Sequence, residues 1–345
     1  MTVRLLLLVI AAVSAASCTR DATNAVATTA DRPPSSLSTT SAAAPAASPA
    51  GLADELCSRT GSAPSGQVAN DDLDEASGLV ASRTHPGVLW SHNDGPDGRI
   101  FALDSDGDNL GVHSLPGVGI VDAEDIAIVS GVNGDDLLLA DVGDNGLERS
   151  SIQVVRFAEP DPTLSEPIDE VEVLTYVYPD RPHNAETLLV DEANDRIVIV
   201  TKEQTEGTAA PAGLGPTEPA IVFEGALESA AGATTELTMV GTIDMPALER
   251  RTAASPTHPA GLFGAAGVPT GGDVHSDGSL IALRTYETVW VWEREAERTV
   301  ADALAGRPCE VATILERQGE AVAFDGDGLV TVGEGVNQPL NQIGR

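Results

Sequence analysis

The sequence predicts an all-β fold, a five-bladed β-propeller whose ring is closed by an N-terminal strand, on three observations. Residues 122–145, DAEDIAIVSGVNGDDLLLADVGDN, pair two short apolar runs across a Gly/Asn/Asp turn, which is the pattern of a hairpin. That hairpin occurs five times along the chain. Further short runs follow each copy, so each unit holds about four strands. A repeat of roughly 45 to 50 residues built from several short strands is the signature of a propeller blade. A ring of six blades is the alternative count.

The units are read in order. Unit one opens on Glu75 and ASGLV, continues in VLWSHND from Val88, and adds RIFALD and LGVHSL. The intervening Asp104-Ser105-Asp106-Gly107-Asp108 has its glycine at the fourth position, where a calcium loop of the EF-hand type needs it at the sixth, so a hairpin turn is the better reading. Unit two opens on Glu124 and adds IQVVRF and EVEVLTYVY. Unit three opens on Glu186, pairs with RIVIVTKE from Arg196, and adds AIVFEG and ELTMVGTI. Unit four opens at Asp273, pairs with LIALRTYE, and adds VWVWER and CEVATIL. Unit five opens on Glu320, pairs with LVTVGEG, and ends in a weak strand near Leu340. Residues 66–69 are expected to complete that last blade from the N-terminal side. The two longest spacings contain the Gly/Pro/Ala-rich insertions at 206–219 and 252–270.

The 345 residues carry 53 acidic against 19 basic side chains, a net charge of −34. Such a surface repels nucleic-acid phosphates and anionic lipid and is otherwise a solvated, soluble face, so no nucleic acid is expected as a partner. Residues 1–18 read as a targeting segment. Arg4 precedes an apolar run too short to span a bilayer, and Ala15-Ala16-Ser17 lead to Cys18. Small residues directly before a cysteine resemble a bacterial lipobox, so Cys18 is the expected lipidation site, with an ordinary signal peptide as the alternative. The Ala/Ser/Thr/Pro-rich stretch 19–55 reads as a disordered tether, and 56–345 as the propeller domain. Cys57 and Cys309 then remain. In an oxidising compartment they most simply form one disulfide that clamps ring closure, with two free thiols as the alternative. A monomer is expected, extracytoplasmic and touching the membrane only through its anchor.

In a propeller the innermost strand of each blade lines a channel, and the strand starts share one mouth. The candidate ring there is Glu75, Glu124, Glu186, Asp273 and Glu320, with Asp144 and Asn145 near the matching strand ends. Carboxylates about 6 Å apart at an effective dielectric near 20 repel by about 3 kcal/mol per pair. Three arrangements relieve that: hydrogen bonds from strand-start N–H groups, a bound calcium ion, or protonation. His92, Lys202 and Arg284 are the catalytic candidates. Lys202 is the sole lysine, and each of the three has a bland alternative as a structural or solvated side chain. His275 is also placed near this rim. No G-x-S-x-G elbow, Walker loop, H-E-x-x-H or C-x-x-C is present.

The phrases EASGL, DAEDIA, NAETLLVDE with IVIVTKE, and GEAVAF with LVTVGEG resemble the SdiA-regulated propeller proteins and the wider esterase-like phytase and strictosidine-synthase-like group. The resemblance spans about residues 72–335. It implies a five-bladed propeller with calcium in or near the channel mouth, and it matches Glu75, Glu124, Glu186 and Glu320 to the blade-start acids. Unit four departs from the phrase, with Gly272-Asp273-Val274-His275. Phytase chemistry needs a strongly cationic or multi-calcium site, and this rim has one lysine. The sequence therefore reads as a lipid-anchored envelope propeller that binds calcium and presents its rim to a small-molecule or envelope-protein ligand. The rival reading is a calcium-dependent hydrolase of esters, lactones or phosphoesters.

Overall fold

The computed structural model describes residues 49–59, 61–203, 218–230, 232–255, 266–311 and 316–344. Cys18, the targeting segment, most of the tether and most of both long insertions lie outside the described residues.

Helix α1 (Pro49–Ser58) and strand β1 (Ala63–Gln67) precede the blades. Blade one is β2 (Ala76–Ala81), β3 (Val88–Asn93), β4 (Arg99–Asp104) and β5 (Asn109–Ser114). Blade two is β6 (Ala123–Ser130), β7 (Asp135–Asp141), β8 (Ile152–Ala158) and β9 (Glu172–Val177). Blade three is β10 (Ala185–Asp191), β11 (Arg196–Thr201) and β12 (Ala220–Ala226), with β14 (Thr238–Ile243) outermost. Before β14, the short β13 (Thr234–Glu236) crosses to run parallel with β9 of blade two. Helix α2 (Met245–Ala254) follows. Blade four is β15 (Pro269–Val274), β16 (Leu280–Thr285) and β17 (Val289–Glu293), then helix α3 (Val300–Leu304) and β18 (Cys309–Val311). Blade five is β19 (Gly319–Asp325), β20 (Gly328–Gly333) and β21 (Pro339–Ile343), completed by β1 pairing antiparallel to β21. Five blades and N-terminal closure are therefore as the repeats predict. The strand read near Leu340 is β21.

Why these segments sit where they do follows from their patterning. The inner strands β2, β6, β10, β15 and β19 have neighbours on both faces and read as nearly continuous small or apolar runs. Outer strands such as β8 and β9 alternate buried and exposed positions instead. Five apolar clusters fill the spaces between neighbouring blades. Trp90 and Phe157 mark the cluster between blades one and two, Tyr176 and Phe223 the next, and Trp290 and Trp292 the third. Leu56 and Phe324 mark the fourth, and Phe101 and Leu340 close the circle. Each inner strand packs on the next, β19 returning to β2, so the five sheets form a closed ring. Truncating one of these aromatics costs about 3–5 kcal/mol.

Composition alone assigns residues 49–55 to the tether, whereas they form the first turns of α1. Leu52, Ala53 and Leu56 lie on one side of that helix and fill the seam between blades four and five. Cys57 bonds to Cys309 with their Cα atoms 5.8 Å apart. The disulfide thus ties the N-terminal helix to the outer strand of blade four, beside the closing blade. Among the described residues no helix is long and apolar enough to cross a membrane. Asp104 Oδ1 accepts N–H bonds from Asp106 and Asp108, and Gly107 takes φ +87°, so this acidic run is a hairpin turn between β4 and β5.

Candidate functional site

All five inner strands carry a register irregularity one residue after they begin. The breaks fall at Ala76/Gly78, Ala123/Asp125, Ala185/Thr187, Pro269/Gly271 and Gly319/Ala321. The extra residue at such a bulge is released from the ladder and re-aimed. The equivalent positions are Ser77, Glu124, Glu186, Thr270 and Glu320.

This corrects two members of the expected ring. Glu75 stands two residues before its bulge, exposed, with its backbone joined to Asn93 and Asp94. Asp273 lies three residues past its bulge, toward the other end of the channel. There its Oδ1 accepts the Val274 N–H and its Oδ2 accepts the Phe324 N–H of blade five. Hydroxyls replace the acids at both places. Ser77 Oγ donates to Glu124 O at 2.8 Å, and Thr270 Oγ1 to Gly319 O at 3.0 Å. Aligning the small residue that precedes each bulge (Ala76, Ala123, Ala185, Pro269, Gly319) would have found the true register, whereas aligning acids does not.

The acidic mouth then divides into two groups. In the first, Asp94, Asp122 and Glu124 each place a carboxylate oxygen within 4.8 Å of the others. The loop after β3 is held against the start of β6 by the Ala123 N–H donating to Gly95 O, which carries Asp94 from blade one to the acids of blade two. Gly143 leaves room for them: a Cβ there would stand 2.3 Å from Glu124 Oε1 and 2.5 Å from Asp122 Oδ2. Burial, and then the Asp94 charge, push the Asp122 carboxyl up to about 6. Burial and the neighbouring Glu186 and Asp94 raise Glu124 well above the usual carboxylate range. Asp94 is raised by burial, and its Oδ1 is buried without a partner. Among the described residues no arginine or lysine forms an ion pair with any of the three; Arg149 pairs with Asp141 and Lys202 with Glu186. Three crowded carboxylates that disfavour ionisation form a group that could hold a cation.

The second group supplies its own cation. Lys202 donates to Glu186 Oε1 and to the Tyr286 hydroxyl at 2.8 Å, and its ammonium lies 5.0 Å from the centre of the Tyr286 ring. Burial alone would lower the lysine, but Glu186, Tyr286 and Glu320 outweigh it and hold the ammonium above its ordinary value. Glu320 and Glu334 lie beside one another. Both are raised, first by burial.

The remaining candidates are spent elsewhere. Asp144 caps its own loop by accepting the Glu148 and Arg149 N–H groups, and Asn145 Oδ1 accepts from Asn184. His92 is buried beneath the rim with Nδ1 against Asn93 O at 2.8 Å, and burial drives it down to about 4, so it is neutral. Arg284 is completely buried and donates from Nη2 to Glu316 Oε2 at 2.6 Å between blades four and five. It is a staple below the mouth and not a rim group. His275 is placed by the fold at the opposite mouth. Asp94 directly follows β3, a second-strand end that the repeat places near this rim, and Asp122 directly precedes β6.

No family model matches the chain, and no curated protein matches it. Solved structures with similar folds include a nidogen/laminin complex at 10% identity, covering 76% of this chain and 73% of that one, with a TM-score of 0.37. Raptor of Chaetomium thermophilum is 12% identical over 78% of this chain and 20% of its own, with a TM-score of 0.33. A gluconolactonase from Xanthomonas campestris is 12% identical over 78% of this chain and 72% of its own, with a TM-score of 0.37.

Proposed function

We propose that this chain is an extracytoplasmic propeller that holds one calcium ion at its acidic mouth and uses the open side of that ion to bind a ligand carrying a carbonyl or anionic group. The observation that carries this reading is the convergence of Asp94, Asp122 and Glu124 within 4.8 Å, with a buried Asp94 oxygen left unpartnered. The donor set fits: carboxylate oxygens suit a hard divalent cation, which takes six to eight oxygens, so three acids leave positions free. Ionisation of raised carboxylates would accompany loading. The Cys57–Cys309 bond fits an oxidising compartment. Lipidation at Cys18, an envelope-protein partner and kinship with the SdiA-regulated group rest on the sequence phrases alone.

A second reading is favoured by one feature, the neighbouring Glu320 and Glu334, both held above the ordinary carboxylate range, first by burial. In a hydrolase of esters, lactones or phosphoesters the ion would polarise the substrate, and this pair would hold a proton for the leaving group while Lys202 fixes Glu186.

Elemental analysis of the purified chain, followed by thermal melts with and without chelator, tests the first reading. One calcium per chain and a lower melting temperature in chelator are expected. A metal-free chain indifferent to chelator would overturn it. Hydrolysis of any member of an ester, lactone and phosphoester panel, abolished by Asp122→Asn, selects the enzyme.

A further inference from the structure

The five inner strands end at the opposite mouth, and there the chain leaves a hollow that no part of the acidic cluster touches. Two adjoining cavities of about 160 and 270 Å³ share Arg83, Ile128, Asp273, Val274, His275 and Ser276 as lining. Together they touch the ends of all five inner strands. Asp125 separates this hollow from the acidic mouth. It is fully buried mid-channel, and its Oδ2 accepts N–H bonds from Leu188 of blade three and Gly272 of blade four.

Most charges at the far mouth are paired, and Asp325 adds a further acid to its lining. Arg83 donates to Glu192 Oε1 at 2.5 Å, Asp277 receives His275 Nδ1 at 2.6 Å and the Ser279 N–H, and Arg294 is bound to Asp191. Asp273 spends both oxygens on backbone N–H groups. What stays available is of mixed type. Among the described residues no hydrogen bond reaches His275 Nε2; in the tautomer whose Nδ1 donates to Asp277, Nε2 is free to accept. Arg83 keeps unused N–H groups, its Nη2 already donating to Ile128 O, and Ser276 brings a hydroxyl. Apolar surface from Ile128, Val274 and Phe324 lies between them, and Phe324 meets the His275 ring edge-on at 5.2 Å.

We propose that this hollow is a second binding site, for a small neutral polyhydroxylated molecule of monosaccharide size. Hydroxyl groups both donate and accept, which satisfies His275 Nε2 and the Arg83 N–H groups at once. The C–H faces of a sugar ring cover the apolar strip. An anion would face Asp273, Asp277 and Glu192 on a chain of net charge −34, and a cation would face Arg83. Both mismatches favour the neutral ligand.

The test is calorimetric or NMR titration of the full chain with D-glucose, D-galactose and myo-inositol, with sodium acetate alongside. Saturable binding of at least one polyol is expected, weakened tenfold or more in His275→Ala and in Arg83→Met, and unchanged in Asp122→Asn, which alters only the acidic mouth. His275→Gln, whose amide keeps an acceptor, should retain part of the affinity and guards against misfolding of the alanine variant. Absence of saturable polyol binding, equal binding by His275→Ala, or preferential binding of acetate would each overturn the proposal.

Discussion

Lys202 and Glu186 form an ion pair inside the acidic mouth, nearly sealed from solvent, with Glu186 Oε2 left buried and unpartnered. The side chains are 8% and 6% exposed, so neither charge is screened by water. Removing one partner of such a pair strands the other. Lys202→Met should cost about 3–5 kcal/mol at neutral pH without calcium. It should also turn Glu186, Glu320 and Glu334 into a second cation site, so that added calcium restores stability and the metal stoichiometry rises. Paired melts with and without calcium check this; a variant as stable as the parent in chelator would contradict it.

The far mouth sets a pH dependence. Burial raises Asp273 to about 7 in the folded chain, against about 4 when unfolded. Below about 4 both states hold the proton. Between about 4 and 7 the unfolded state releases it while the folded state keeps it, so stability falls as pH rises through this window. Glu186, raised to about 7, acts in the same direction, while His92, lowered by burial to about 4, opposes it as pH falls below about 6.5. The lowered carboxylates, Asp180, Glu203 and Asp277, lose their contribution only at lower pH, as the solution falls through their folded values. Thermal melts in chelator should therefore show a higher midpoint at pH 5 than at pH 8, and Asp273→Asn should flatten the slope. A midpoint that rises from pH 5 to 8 would count against the buried assignment.

Disulfide loss should loosen one seam. Serine at both Cys57 and Cys309 should lower stability by about 2–5 kcal/mol. Because Leu52 and Leu56 pack only where α1 docks, hydrogen exchange should quicken first in α1 and at the edge of blade four. Uniform acceleration across all blades would contradict that localisation.

Arg284 offers the counterpart inside the ring. Its partner Glu316 also accepts from Thr331 Oγ1 and Asn341 Nδ2, each at 2.6 Å, so the ion pair knits blade four to blade five. Arg284→Met should cost about 3–5 kcal/mol in urea denaturation, and adding Glu316→Gln should recover part of it by removing the stranded charge. Additive losses would show that the two residues do not act as a pair.

Blade number, strand order and closure were legible because each depends on local patterning: apolar runs, turn residues and their repetition. The site was legible only in part. Glu124, Glu186 and Glu320 could be read from the repeat, since the bulge that aims them recurs in sequence. Glu75, two residues before its bulge, stays exposed near Glu334, and Asp273, three residues past its bulge, lies toward the other end; a bulge shifts register without any residue that announces it. Asp94 and Asp122 join Glu124 through the Gly95–Ala123 contact between blades, which exists only once the ring has closed. The helix α1 escaped notice because its Ala-rich first turns match a linker in composition, and only Leu52 and Leu56 mark the buried face.

The most direct measurement is calcium titration by calorimetry of the metal-stripped chain, beside Asp122→Asn. The account expects one ion per chain, proton release on binding, and at least a tenfold loss of affinity in the variant. No binding by the parent chain, or equal binding by the variant, would show that the crowded acids at this mouth serve some purpose other than holding a cation.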